Sequence, residues 1–389
     1  MSMNPEVPIV GCVEGWYGRL LDWPDRHALM MAAASAGMNT WWYAPKEDIA
    51  HRLAWRESYT TDWREQFSRF CAASCANDVQ VIAGMAPGID IELSGLSNSV
   101  DMQCLEDKTR MMLDDGAHVP ALLLDDIDPD VSHKLGGFSS EGEAHASLAN
   151  ELGNRLGRAL LVVPRIYANE LHADSPDYLP AFARTLDTRH VIVMCGSDVV
   201  ARTVTDADCR QHLTDNEHRI IVWDNFYAND YCPRRLFVGP WRGRDSLQDV
   251  VLNTTGMPAT DALLFDLFAA QRGRQGQSER SLWRAVLDRH GVPNAFDVVA
   301  DCFDTPVFNT TVLPEPGETP DLKHRLAALE SLTWRWKSSL AREWFPYLMS
   351  LRHDLLIESG DLAIDRINKT QLPPLARHLS GSSRKPGAT

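Results

Sequence analysis

One stretch of this chain constrains its fold more than any other: Ala121-Leu122-Leu123-Leu124-Asp125-Asp126-Ile127-Asp128-Pro129-Asp130. An apolar run of strand length stops abruptly at two adjacent carboxylates, with two more at alternate positions. A run that is apolar on both of its faces reads as a strand buried on both sides, the kind that builds parallel sheets. Its polar end then opens onto a loop, where α/β proteins place their chemistry.

The remaining sequence repeats that pattern. Strand candidates occur at Pro8–Val13, Asn39–Tyr43, Val79–Gly84, Ala159–Val163, His190–Cys195, Arg219–Trp223 and Asp249–Asn253. With the run ending at Leu124 they make eight. Helical patterns separate most of them. Asp22 with Pro24 starts one and Gly37 stops it, another runs from about Asp62 to Ala76, and a third from Val100 to Asp115. Ser140 and Glu143 have the spacing of a capping box, and Ser175-Pro176 opens a further helix. Eight such units predict an α/β chain, a (β/α)8 TIM-type barrel over residues 1–275.

From about Ser278 the texture is helical alone, which predicts a C-terminal helical domain over 276–379 and a disordered tail at 380–389. Leu322–Arg342 repeats Leu326, Leu329, Leu332, Trp336 and Leu340 at helical spacing, followed by a helix from Trp344 to Glu358. That stripe reads as intramolecular core, with a homodimer through these helices as the alternative. The 389 residues are enough for a barrel and a smaller domain.

Charge narrows the partners. A formal net charge of −15 argues against nucleic acid or an anionic membrane as the main ligand. The eight cysteines show no zinc-type spacing and read as small core residues of a reducing compartment. Met1–Pro8 lacks the basic and apolar regions of a signal peptide, and no apolar run has membrane-spanning length. A cytoplasmic protein with no membrane association is expected.

The residues at the carboxyl ends of the strands are Gly15 with Tyr17, Lys46, Asp90, Asp125 with Asp126, Tyr167, Asn225 with Asp230, and Asn253. Carboxylates, amides, one lysine and aromatic rings suit a sugar, whose hydroxyls need donors and acceptors and whose ring faces need aromatic walls. Trp41, Trp42 and Trp223 could supply such walls, and one of the first two is expected to be barrel packing. Rival chemistries fail on spacing. Asp126-x-Asp128-x-Asp130 begins like a calcium loop, yet its sixth position is Val131 and its twelfth Gly137. Zinc-protease, phosphate-loop and serine-hydrolase motifs are absent, so no metal or cofactor is expected. His51 and His133 are read as structural, and Asp128 and Asp130 as loop acids.

Several runs carry a resemblance. Val13-Glu14-Gly15-Trp16-Tyr17-Gly18-Arg19, Asn39–Asp48, His51-Arg52 with Trp55-Arg56-Glu57, Pro87–Ile91, Leu123–Asp128, Trp223-Asp224-Asn225 with Ala228–Tyr231, Leu236–Pro240 and Leu252-Asn253 resemble the O-GlcNAcase family, glycoside hydrolase family 84. The similarity runs in uninterrupted order over roughly residues 9–275. Three positions depart from it: Trp16 stands where Phe is commoner, Pro164-Arg165-Ile166-Tyr167 where Pro-Thr-x-Tyr is usual, and Met194-Cys195-Gly196 where Trp-Thr-Gly is common.

The resemblance implies a retaining exo-β-N-acetylglucosaminidase acting on a GlcNAc-bearing glycoside or glycoprotein. Its nucleophile would be the substrate's own acetamido oxygen, giving an oxazoline. Asp125 would accept the acetamido N–H and steer that oxygen. Asp126 would be the general acid and then the general base. Tyr167, Trp223 and Asn225 would bind around the acetamido group and ring, and the Gly15 carbonyl, Lys46, Asp230 and Asn253 the hydroxyls. Neighbouring strand residues diverge and cannot flank a sugar from opposite faces, which suits substrate assistance. The carboxyl pKa values should separate, with the family match assigning the raised one to Asp126. The alternatives are a catalytically silent glycan-binding barrel, or a glycosidase with an enzymic carboxylate nucleophile, Glu14 or Asp230.

Overall fold

The computed structural model describes residues 7–127, 135–213, 217–306 and 320–362. Asp128, Asp130, His133 and the 380–389 tail lie outside the described residues. The chain forms two compact units, one running through Gly291 and including 303–306, the other comprising 292–302 and the described residues from 320 onward.

The first unit is a closed barrel of eight parallel strands in sequence order. They are β1 (Val10–Val13), β2 (Thr40–Tyr43), β3 (Gln80–Met85), β4 (Val119–Leu123), β5 (Leu161–Val163), β6 (Val191–Met194), β7 (Ile220–Asp224) and β8 (Val250–Asn253). β1 closes the ring against β8, with Val10 opposite Val250 and Val13 opposite Asn253. Inward side chains such as Val13, Trp42, Leu123, Val163, Val193, Trp223 and Val251 fill the interior. Outward ones meet the helical ring. Tyr43 stacks at 6.4 Å on Trp23 of α1 (Trp23–Ser35), and Trp41 meets Phe70 of α2 (Thr61–Cys75) edge-on at 5.9 Å. Both Trp41 and Trp42 are fully buried, so both are packing residues.

The ring continues with α3 (Val100–Asp114), α4 (Glu141–Leu156), α5 (Tyr178–Thr185), α6 (Asp206–Arg210), α7 (Pro258–Arg272) and α8 (Glu279–Arg289). Asp22 caps α1 by accepting the Asp25 N–H, and Ser140 caps α4 by accepting the Glu143 N–H. The expected capping box at Ser140 forms only by half, because the Glu143 carboxylate takes the Ser139 N–H and hydroxyl instead. Between Ser175 and α5 the chain makes a turn, and the helix starts later, at Tyr178.

After β7 no helix follows. The connection to β8 is held by a buried ion pair instead. Arg244 forks onto Asp224 at 2.9 and 3.0 Å and donates to the carbonyls of Ala201, Arg202 and Arg242, while Trp241 Nε1 donates to Asp224 at 2.7 Å. A second buried pair lies behind β1, where Arg26 binds both oxygens of Glu14 at 2.7 and 2.9 Å and Trp41 Nε1 adds a third bond at 2.8 Å. Glu14 is therefore committed to the scaffold and offers no nucleophile.

In the second unit the periodic run Leu322–Arg342 is broken. α9 (Leu322–Glu330) ends in a π-turn over Ser331–Arg335, and a new helix, α10 (Ser339–Glu358), follows. The Thr333 hydroxyl donates to the Leu329 carbonyl at 2.6 Å, competing with the helical ladder, and Ser338 caps α10 by accepting the Ala341 N–H. The break lets Trp336 meet Trp344 edge-on at 5.5 Å, and Trp344 also packs on Phe296 at 5.0 Å. Most of the apolar stripe is thus core. Among the described residues no helix is long and apolar enough to cross a membrane.

Arg26→Met should destabilise the protein by about 3–5 kcal/mol in urea titration, because it strands the Glu14 carboxylate in a dry interior. An unchanged midpoint would show that the pair carries no such weight.

Candidate active site

All eight strands point their carboxyl ends at one mouth, which holds a cavity of about 660 Å³. That volume is in the range of small-ligand sites, roughly 300–1,000 Å³. The residues assigned catalytic or sugar-binding roles from the sequence all line it: Gly15, Lys46, Asp125, Asp126, Tyr167, Trp223, Asn225, Asp230 and Asn253. Asp90 does not. It accepts from Trp55 Nε1 at 2.8 Å and Arg56 at 2.7 Å, bracing the loop after β3.

The carboxylate pair is delivered by a backbone device. Leu124 N–H still bonds the Val163 carbonyl at 2.9 Å, so Asp125 keeps the inward parity of Leu123. Asp126 would then face outward, but its φ is +54°, in the left-handed region. This turn costs an L-residue roughly 1–2 kcal/mol, least for Asp and Asn, and brings the second carboxylate back to the cavity.

The two carboxylates have different surroundings. Asp125 is buried, its Oδ2 paired with the Lys46 ammonium and its Oδ1 without a partner. Asp126 sits nearer the opening. Tyr17 donates to its Oδ2 and Tyr167 to its Oδ1, both at 2.8 Å, and Lys46 Nζ is 3.9 Å from Oδ2. Burial pushes the Asp126 carboxyl up, but Lys46, the two phenols and Arg52 together outweigh it and hold it below its ordinary value. This corrects the expectation of a raised Asp126. Lys46, Arg52 and the two phenols, which reach both of its oxygens, stabilise the ionised form. The same carboxylate, after burial, pushes both phenols upward, so they remain donors.

Tyr167 reaches its position despite the unusual Pro164-Arg165-Ile166-Tyr167 run. Arg165 turns away to bind Glu141 at 2.6 Å, and the Cys195 N–H pins the Tyr167 carbonyl at 2.7 Å. Cys195 itself forms part of the wall, in contact with the Asn225 amide at 3.6 Å.

Asn225 is saturated. Its oxygen accepts from Trp223 Nε1 at 3.0 Å and Asn253 Nδ2 at 2.9 Å, and its nitrogen donates to the Val199 carbonyl at 2.7 Å. It therefore acts first as a tie between β6, β7 and β8. Asn253 Oδ1 is buried without a partner, an acceptor open to a hydroxyl. Asp230 accepts the Tyr17 N–H at 2.9 Å, joining the loops after β1 and β7. His51 bonds the Gly84 carbonyl, and burial followed by Lys46 pushes its pKa down to about 3, a structural neutral imidazole. Among the described residues no three His, Cys, Asp or Glu side chains are grouped to hold a metal ion.

Sequence reasoning left Tyr17 without a role and passed over Arg52. Both lay inside runs that signalled the family, but nothing in their spacing shows that they converge on Asp126.

A closed parallel barrel with a carboxylate-lined cavity at its carboxyl mouth has the architecture of a barrel enzyme. Comparison with known proteins narrows this. A family model described as beta-N-acetylglucosaminidase matches residues 10–261, more than half of the chain. The Protein O-GlcNAcase of Rattus norvegicus is 31% identical over 245 residues, and that of Mus musculus 30% over 244. The matched segment is 61% of this chain and 26% of each relative, so it spans about a quarter of their length. A mutant of the Thermobaculum terrenum O-GlcNAc hydrolase superposes with a TM-score of 0.69, at 20% identity, covering 96% of this chain and 80% of that one. At that identity the likeness speaks to the fold. The chain belongs to the beta-N-acetylglucosaminidase family.

A Cβ on Gly15 would run into the Trp223 ring, with Cη2 at 2.8 Å, and crowd Asn253 Oδ1 at 3.1 Å. Gly15→Ala should displace that wall. With displacements near 1 Å costing about 100-fold in rate, kcat/KM on the enzyme's substrate should fall on that order while the near-UV spectrum stays folded.

Proposed function

We propose that this chain removes terminal β-linked N-acetylglucosamine with retention of configuration, using the substrate's acetamido oxygen as nucleophile. The observation that carries the reading is the division of labour in the pair: a buried Asp125 with one oxygen on Lys46 and the other unpartnered, beside a more open Asp126. An acetamido N–H is a fitting partner for that free oxygen. Asp125 then orients the amide and stabilises the positive charge that grows on it.

In the first step the acetamido oxygen bonds to the anomeric carbon as the bond to the aglycone oxygen breaks, and Asp126 gives that oxygen its proton. In the second, Asp126 takes a proton from water, which attacks the anomeric carbon and opens the oxazoline. Trp223 would support the sugar face, Asn253 a hydroxyl, and the Gly15 carbonyl, Lys46 and Asp230 the others. Asn225 holds the wall behind the acetamido group. The rodent relatives, both named Protein O-GlcNAcase, support GlcNAc as the sugar. An enzymic nucleophile would have to be Asp230, whose two oxygens accept from Tyr17 and Tyr231 N–H groups.

These contacts favour the ionised form of Asp126, yet an acid must carry a proton. A neutral sugar filling the mouth removes water from the carboxylate, and desolvation favours its protonated form. The basic limb of the kcat profile, which reports the complex, is therefore expected at higher pH than that of kcat/KM, which reports the free enzyme. Coincident limbs would remove this account of proton loading.

The decisive assay uses an aryl N-acetyl-β-glucosaminide and the matching aryl β-glucoside. Turnover is expected only with the first. No turnover of either would leave a silent sugar-binding barrel, and equal turnover would rule out acetamido participation. Progressive fluorination of the acetamido methyl should slow hydrolysis steeply. Asp126→Asn should lose about 10²–10⁴ on poor leaving groups and far less on activated ones.

A further inference from the structure

Asp126 has an unusual neighbour outside the cavity lining. Arg52, nearly buried in the loop after β2, places one guanidinium nitrogen on the Tyr17 hydroxyl and donates another to the Asp126 carbonyl at 2.6 Å. Guanidinium has donors only, so it can bind the Tyr17 oxygen solely as an acceptor. The single phenolic proton is then left for Asp126 Oδ2, which receives it at 2.8 Å. The bond to the carbonyl, meanwhile, holds the one peptide that must stay left-handed for Asp126 to face the cavity.

We propose that Arg52 is a positioning residue for Asp126: through the Tyr17 hydroxyl and the Asp126 carbonyl it fixes both the aim and the proton occupancy of the carboxyl that Tyr167 holds from the other side. Arg52 does not line the cavity and need not touch substrate. The assignment rests on Asp126 being the general acid, as proposed above. The other titratable groups facing Asp126 are Lys46 from the end of β2, Tyr17 from the loop after β1, Tyr167 beyond β5, Cys195 at the end of β6, and Asp125 beside it. Of these only Tyr17 is itself oriented by Arg52.

Two consequences follow. Removing Arg52 withdraws a positive charge and frees the Tyr17 proton to turn elsewhere, so the Asp126 pKa should rise. It also releases the left-handed peptide, so the carboxyl should lose aim toward the leaving oxygen while sugar binding, made by other strand ends, survives.

The test measures the Asp126 carboxyl directly by carbon-13 NMR titration in the full chain, for wild type, Arg52→Met, Arg52→Lys and Tyr17→Phe. Arg52→Met is expected to raise the pKa by about one unit, and Tyr17→Phe by less. With the aryl N-acetyl-β-glucosaminides, Arg52→Met should lose about 10- to 100-fold in kcat on poor leaving groups, with KM changed little and activated leaving groups nearly spared. The basic limb of kcat/KM should move to higher pH, and Arg52→Lys should restore part of the shift. An unmoved Asp126 titration in both Arg52→Met and Tyr17→Phe overturns the proposal. So does an equal loss on all leaving groups. If Arg52→Met fails to fold, Tyr17→Phe at its more exposed position decides by the same titration. A wild type inactive on every glycoside defeats the functional reading alone, since the titration still reports on Arg52.

Discussion

Closure of the barrel between β1 and β8 is the constraint on which the site depends. Val13 stands opposite Asn253 in that seam, so the loop carrying Gly15 and Tyr17 is brought beside the last strand and over Trp223. An open parallel sheet would leave these at opposite edges, with six strands between them. Closure makes them neighbours, and Tyr17 can then reach across the mouth to Asp230 on one side and Asp126 on the other. The two buried ion pairs, Glu14 with Arg26 and Asp224 with Arg244, secure the ends of β1 and β7, the two neighbours of β8. Each is doubly hydrogen-bonded, the condition under which a buried pair offsets its desolvation.

Much of this was legible in the sequence, for a physical reason. Strands buried on both faces must be apolar throughout, and a barrel must change to polar residues where each strand leaves the core. Leu124 to Asp125 and Trp223 to Asp224 mark that boundary without reference to anything distant. What stayed hidden depends on pairs far apart in the chain. Glu14 and Asp224 look like Asp125 in sequence, strand-end acids all, and only their distance from Arg26 and Arg244 makes them scaffold. The slipped cap at Ser139 and the π-turn after α9 were invisible because each is a local choice between hydrogen-bond partners of similar strength. The left-handed turn at Asp126 has no periodic signature at all.

The mouth is electrostatically lean. Among the described residues lining it, Lys46 is the only cation, and it is paired with Asp125. Asp126, Asp230, Glu170 and Asp198 leave the lining with an excess of negative charge. In the proposed reaction such a site would favour positive charge as it develops on a neutral sugar, while its free acceptors, Asp125 Oδ1 and Asn253 Oδ1, are fixed in place beforehand. Acceptors that need no rearrangement cost little when the charge appears.

The left-handed backbone at Asp126 also bears on which amino acid can stand there. A glutamate would be an equally good acid and, one methylene longer, could reach a leaving oxygen. Yet the left-handed region is hospitable mainly to glycine, asparagine and aspartate. Glycine lacks a carboxyl and asparagine cannot give up a proton. Among these three, aspartate alone carries a carboxyl. The role proposed for Asp126 and its torsion angle therefore make the same demand on the residue at the centre of the site.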